Sequence, residues 1–305
     1  MPIRPVRPAR LHGRVFRGSS QVAAGRLTRA QLRSTAWQRL FRDVYACSSV
    51  AVTHEVRAGA AALLLVPGAV VSGRSAAVLW GVDAAGPNAD VELTVPPGSS
   101  ASTAPGVRVR RRALSADEVT TRRGVPVTTA ETTAVDVGRG PGPLEESVAL
   151  VDALVASRVT DLAAVRTATA AASGPGCRRA RRVAGLADGL AGSPQETRLR
   201  LLLHGARLPR PVAQHTVLDS DGRFVARVDF AWPEQRLAVE YEGRWHGRPQ
   251  QVAADRARLN RLTAAGWRVV FVTADDLREP DLLVARLAAA LTTTPVVDLW
   301  SPRGR

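Results

Sequence analysis

Asp229, Glu240 and Glu242 are spaced for metal chemistry. In RFVARVDF, strand alternation sends Phe224, Ala226, Val228 and Phe230 one way and Arg223, Val225, Arg227 and Asp229 the other. In RLAVEYEG, Glu240 and Glu242 share a face, opposite Leu237, Val239 and Tyr241. If the two segments pair as a hairpin across AWPEQ, Asp229 lies beside Glu240. Carboxylates that close repel unless a cation or proton sits between them. Oxygen ligands suit Mg²⁺ or Mn²⁺, which also bind phosphate oxygens and activate water. Asp229 and Glu240 are the expected ligands, with Glu242 a third acid. Arg223, Arg227 and Arg244 are placed to hold nucleic-acid phosphates around the ion.

The elements that must position these residues follow from the pattern around them. Beyond residue 193 the order reads helix, three strands, helix, strand, helix, from PQETRLRLLLHGA to PDLLVARLAAAL. Gly-rich punctuation at 173–176 and 186–194 brackets an Arg-rich helix and sets a boundary near 185–193. Between 51 and 185 the chain alternates helices and strands, with no polar constellation pointing to a reaction. Near the N-terminus a short helix from Val15, VFRGSSQVAAG, closed by Gly25, precedes a second, capped by Thr28 and running to Leu40, then a strand through Val44 and Tyr45. Two short helices followed by a β segment is the order of a winged helix-turn-helix. It would present Arg29, Arg33, Arg39 and Arg42 to DNA.

Composition bounds the remainder. The formal net charge is +15, and all 42 basic residues are arginine. The excess favours a polyanionic partner, most simply DNA. Cys47 and Cys177 are far apart and form no metal or disulfide motif, which fits a cytoplasmic protein. The apolar stretch at 58–71 is interrupted by Pro67 and Gly68 and is too short to span a bilayer. The isolated histidines His54, His204 and His215 and the tryptophans Trp37, Trp80, Trp232 and Trp267 read as structural.

Asp229, a ten-residue spacer and Glu240-Tyr241-Glu242 resemble the PD-(D/E)XK nuclease core, with Glu242 where most relatives carry lysine. Together with Gln195-Glu196-Thr197-Arg198, RVDFAWPE, VEYEGRWH, the helix bearing Asp255-Arg256, and GWRVVFVTADDL, this order resembles the domain of unknown function 559, related to very-short-patch-repair (Vsr) endonucleases. GRLTRAQLRSTAWQRLFRDVYA resembles the winged-helix domain of AbiEi-type antitoxins. The resemblance implies metal ligation by Asp229 and Glu240, with the Tyr241 carbonyl beside them. It makes Glu196 the auxiliary carboxylate of the core and His246 an acid, a base or a phosphate contact. Glu242 removes the usual cationic helper of the attacking water.

The expected fold is α/β in three parts. Residues 1–50 form a basic arm and winged helix, 51–185 an AbiEi-like α/β region, and 193–295 a restriction-endonuclease-like mixed sheet flanked by helices. The expected function is Mg²⁺-dependent hydrolysis of DNA phosphodiesters. Its alternative is an antitoxin-like transcriptional regulator, or DNA-binding protein, with an inactive nuclease fold. DNA is the expected partner, no membrane is involved, and a homodimer is the candidate assembly.

Overall fold

The computed structural model describes residues 7–101, 104–243 and 249–292 of the chain. The fold is mixed α/β, and it divides into two compact units, residues 1–187 and 188–305.

The first unit begins with a three-stranded antiparallel sheet, β1 (Val15–Arg17), β2 (Trp37–Phe41) and β3 (Val44–Cys47), in the order β1-β3-β2, with helix α1 (Gly18–Ala23) between the first two strands. The expected helix over 28–40 is not present. Its cap forms: Gln31 N donates to Thr28 Oγ1 at 3.1 Å and Thr28 N donates to Gln31 Oε1 at 2.7 Å. The helix then stops after one 3-10 turn, Gln31–Arg33. A hairpin competes for the residues that follow. Trp37–Phe41 pairs with β3 across a tight turn in which Asp43 takes φ 59°. The Trp37 ring meets Phe16 edge-on, 5.0 Å between centroids. The aromatic contacts reward strand pairing over helix extension. Likewise Val15–Arg17, expected to be helical, is an edge strand on β3.

Phe41 and Val44 pack into the same core as a five-stranded sheet that follows. Its strands are β4 (Val70–Val71), β5 (Val91–Val95), β6 (Val107–Arg111), β7 (Val119–Arg122) and β8 (Val125–Thr128), in the order β6-β5-β4-β8-β7. Helices α2 (His54–Ala60) and α3 (Gly73–Leu79) accompany it.

Four further helices complete the unit: α4 (Ala130–Arg139), α5 (Leu144–Ala156), α6 (Leu162–Ala171) and α7 (Cys177–Leu186). Thr129 and Asp161 cap α4 and α6 by accepting from Thr132 N and Ala164 N. At Gly138 α4 meets α7 backbone to backbone: a Cβ there would lie 2.9 Å from Ala180 Cα. Helix C-termini leave carbonyls without intrahelical donors, and arginines supply them here. Arg179 donates to the Gly138 carbonyl in the last turn of α4 at 2.7 Å, and to the Gly142 and Pro143 carbonyls of the loop before α5 at 3.0 and 3.1 Å. Arg181 reaches the Ala172 carbonyl at 2.8 Å, and Arg166 the Ala187 carbonyl at 3.3 Å. Part of the positive charge is thus spent on tying helix ends.

The second unit is built on a four-stranded sheet, β9 (Val212–Leu218), β10 (Phe224–Trp232), β11 (Leu237–Tyr241) and β12 (Arg268–Val272), in the order β12-β11-β10-β9. The first three strands are antiparallel neighbours and β12 runs parallel to β11. Helices α8 (Pro194–Gly205) and α10 (Pro280–Thr292) cover one face, where Leu199, Leu203, Leu283 and Leu287 meet Phe230, Trp232, Leu237 and Val239. Helix α9 (Pro249–Ala264) covers the other, where Leu262 meets Val228, Ala231 and Ala238. Among the described residues no helix is long and apolar enough to cross a membrane.

Candidate functional site

The site grows out of the β10–β11 hairpin. Its register pairs Trp232 with Leu237, Ala231 with Ala238 and Phe230 with Val239. The ladder between the two strands ends at Phe230–Val239, one residue short of Asp229 and Glu240. There a side chain replaces the backbone ladder: Tyr241 N donates to Asp229 Oδ2 at 2.9 Å. On the opposite flank β9 is irregular at the same level. Gln214 adopts φ 51°, between the pairs Val228–His215 and Phe230–Ala213. Its amide lies 3.4 Å from Asp229 Oδ1 and 3.4 Å from Glu196 Oε2, spanning two carboxylates.

Glu196 arrives from the first turn of α8. Ser193 caps that helix, its Oγ accepting from Glu196 N at 3.2 Å, and Pro194 starts it. Glu196 Oε2 also accepts from Gly192 N at 2.8 Å, so this acid both caps its own helix and flanks Asp229. Burial raises its carboxyl above the usual glutamate range, and the Asp229 charge adds to the rise.

Glu240 is the most enclosed of the acids, 9% exposed. Arg258 of α9 donates to its Oε2 and, at 2.8 Å, to the Arg227 carbonyl. Glu240 Oε1 is buried and has no hydrogen-bond partner among the described residues. Burial pushes the Glu240 carboxyl up; the Arg258 ion pair opposes that shift and the charges of Asp229 and Asp255 reinforce it. Glu240, Glu242, Asp255, Arg256, Arg258 and Phe271 line a cavity of about 520 Å³.

The expected residues are therefore distributed unevenly. Gln214 links Glu196 to Asp229, and the Asp229 charge acts on both Glu196 and Glu240. Glu242 is exposed at the end of β11, its backbone N donating to the Val272 carbonyl at 2.7 Å. Arg227 is exposed on β10, and Arg244 and His246 lie outside the described residues. Three carboxylates and a partnerless buried oxygen are the donor type that Mg²⁺ or Mn²⁺ takes. As they stand, however, no group of three or more His, Cys, Asp or Glu among the described residues is arranged to hold an ion. The guanidinium of Arg258 supplies the positive charge instead. Sequence reasoning missed Arg258 and Gln214. Arg258 carried one legible signal, its place one helical turn after Asp255 in the helix that follows the acids; Gln214 carried none.

In the first unit Arg29, Arg33, Arg39 and Arg42 are all exposed, and none forms an ion pair among the described residues. Without the second helix they do not share a helical face. Arg29 and Arg33 sit at the capped turn, Arg39 on β2, and Arg42 at the hairpin tip. The Nε of Arg39 donates to the Phe41 carbonyl at 3.3 Å. Ten arginines and no acidic residue precede Asp43 in the sequence. Asp43 is itself engaged, accepting from Ser19 N at 2.7 Å and facing Arg17 at 3.5 Å.

The unit's other acid cluster lies elsewhere. Asp136 of α4 is buried and accepts from Arg110 Nη1 at 3.1 Å and from Arg112 Nη2 at 3.3 Å and 3.4 Å, while Arg112 also holds Glu118 at 2.7 Å.

Residues 68–189 match the AbiEi antitoxin C-terminal domain. The match covers the five-stranded sheet and helices α3 to α7, most of the region expected to be AbiEi-like, and does not reach the N-terminal arginines of the expected winged helix. Two uncharacterized proteins of Mycobacterium tuberculosis, MT2308 from strain CDC 1551 / Oshkosh and Rv2248 from strain ATCC 25618 / H37Rv, are each 41% identical over 114 residues, 37% of this chain and 42% of theirs. The chain thus matches less than half the length of these curated relatives. The crystal structure of the RV2827C protein from Mycobacterium tuberculosis aligns with a TM-score of 0.40 at 18% identity, over 69% of this chain and 85% of that one.

Proposed function

We propose that this protein binds DNA as an antitoxin-type regulator, with the nuclease-like acids of its second unit held silent by Arg258. The observation that carries the DNA-binding reading is the acid-free set of exposed arginines before Asp43, with Arg29, Arg33, Arg39 and Arg42 free of ion pairs among the described residues. Such a surface contacts phosphates through counterion release and gives affinity without sequence reading of its own. The antitoxin part of the reading is supported by the match over residues 68–189. The test is duplex binding by the full chain across a salt series. Replacing the four arginines by glutamine should weaken binding at every DNA sequence. It should also lower the slope of log affinity against log salt by about 3–4, near one for each phosphate no longer neutralised. An unchanged slope refutes the assignment.

A second reading, a Mg²⁺- or Mn²⁺-dependent DNA endonuclease, is favoured by one observation: Glu240, on the strand next to that of Asp229 and within reach of its charge, has a buried oxygen without a partner among the described residues. Asp229 and Glu240 would hold the ion, which would supply an activated water and offset charge on the phosphate. Gln214 and Tyr241 N orient Asp229, and Glu196 stands behind it. Incubating supercoiled plasmid with the protein and Mg²⁺, Mn²⁺ or chelator separates the readings. Metal-dependent nicking lost in Asp229→Ala supports the enzyme; no nicking under any metal supports the regulator.

A further inference from the structure

We infer that Arg258 occupies the place of a divalent cation, and that this one side chain decides whether the carboxylate row binds metal. The inference rests on the nuclease-like placement of Asp229 and Glu240 and goes beyond it, because it explains why acids of the right type stand together without forming an ion cage.

Three observations carry it. Glu240 is nine-tenths buried, and among the described residues only one of its two oxygens is satisfied, by Arg258. The guanidinium is fixed at two points, Glu240 Oε2 and the Arg227 carbonyl, so it bridges β11 to the segment of β10 that leads into Asp229. It also lines the same cavity as Glu240, Glu242 and Asp255, and its side chain is one-third exposed, so it has a route out to solvent. A planar guanidinium can satisfy one edge of a carboxylate and a carbonyl together, but it offers donors in a fixed fork. It cannot close simultaneously on Glu240 Oε1 and on the Asp229 carboxylate, whose oxygens already face Tyr241 N and the Gln214 amide. A small ion gathers oxygens from several directions, and Arg258 leaves that demand unmet. For an ion to enter, Arg258 must swing toward solvent, and the ion's affinity is reduced by the ion pair it breaks. Breaking a pair on a buried acid is costly because the acid is left uncompensated.

The experiment is Mn²⁺ titration of the full chain by calorimetry, with electron paramagnetic resonance of free Mn²⁺ as a second readout. It needs no substrate and no cleavage, so a silent plasmid assay leaves it standing. Wild type should bind weakly. Arg258→Gln should bind about a hundredfold tighter, since the ion no longer displaces a pair. Arg258→Lys should stay near wild type. The tighter binding must disappear when Asp229→Asn is added to Arg258→Gln. Equal affinity in wild type and Arg258→Gln, or tight binding that survives Asp229→Asn, overturns the inference. If Arg258→Gln does not fold alone, Mn²⁺ in excess should restore its thermal transition by replacing the lost charge; failure to restore it overturns the inference as well.

Discussion

Asp136 in the first unit and Glu240 in the second are both buried acids answered by arginine, yet their surroundings differ in completeness. Both Asp136 oxygens accept from guanidinium groups, and Arg112 passes on to Glu118, so β6, the loop after it and α4 are knotted together. Glu240 has one arginine and, among the described residues, one oxygen with no partner. Burial raises the carboxyl in both cases despite the arginines. A buried acid whose acceptors are all used is a cross-link. One that is half used stands ready for another donor. The same contrast separates the arginines. Those at 166, 179 and 181 are tied to helix-end carbonyls, whereas those at 29, 33 and 42 point to solvent with no ion pair among the described residues.

The comparison breaks if the two acids cost the same to remove. Asp136→Ala should destabilise the first unit by about 3 kcal/mol, because several charge-assisted hydrogen bonds vanish and Arg112 is left partly buried. Glu240→Ala should cost no more than about 1 kcal/mol, since a desolvated, half-paired charge leaves with it. Urea denaturation followed in each unit's own transition decides between these outcomes.

The pH dependence sharpens it. With its carboxyl raised on folding, Glu240 contributes stability that is complete below the ordinary glutamate range and is lost as pH rises through the raised value. Glu240→Gln removes that loss, so it should gain stability relative to wild type as pH climbs from about 4 to 7. Melting temperatures at several pH values test this, and a variant whose deficit grows with pH contradicts it.

Smaller effects probe how far each network is shared. Arg110→Gln should cost only about 0.5–1 kcal/mol, because Arg110 is well exposed and Arg112 still satisfies both Asp136 oxygens. Gln214→Ala should change stability by less than about 0.5 kcal/mol, since its two hydrogen bonds are long at 3.4 Å. A large loss at Gln214 would mean that Glu196 and Asp229 depend on it more than those distances imply.

Much of the second unit was legible in advance. The hairpin of β10 and β11 and its short spacer follow from the sequence, but the alternation expected in RFVARVDF does not hold. Ala226 and Val228 pack with Ala231 on the α9 side, whereas Phe230 and Trp232 pack on the α8 and α10 side, the phase changing at Asp229 beside the irregular Gln214 of β9. Ser193, Pro194 and Glu196 announce the start of α8. These are local signals: a hairpin spacer, and a cap three residues before the amide that donates to it. At 28–40 the local signal misled. Thr28 and Gln31 form their cap, but the helix it announces loses to a hairpin whose reward, Trp37 on Phe16, comes from outside the segment.

From its own sequence this chain determined its α/β class, its charge, and the hairpin whose two neighbouring strands carry Asp229 and Glu240, because each depends on residue type and short spacing. Only tertiary structure decided what those acids face. Arg258 reaches Glu240 because α9 packs on that side of the sheet, and Gln214 spans Glu196 and Asp229 because β9 turns left-handed beside them. Tertiary structure likewise assigned the arginines of the helical block to carbonyls at helix ends. Ion pairing and desolvation depend on which groups share a small volume, and residues far apart in sequence come to share one only when the chain is packed.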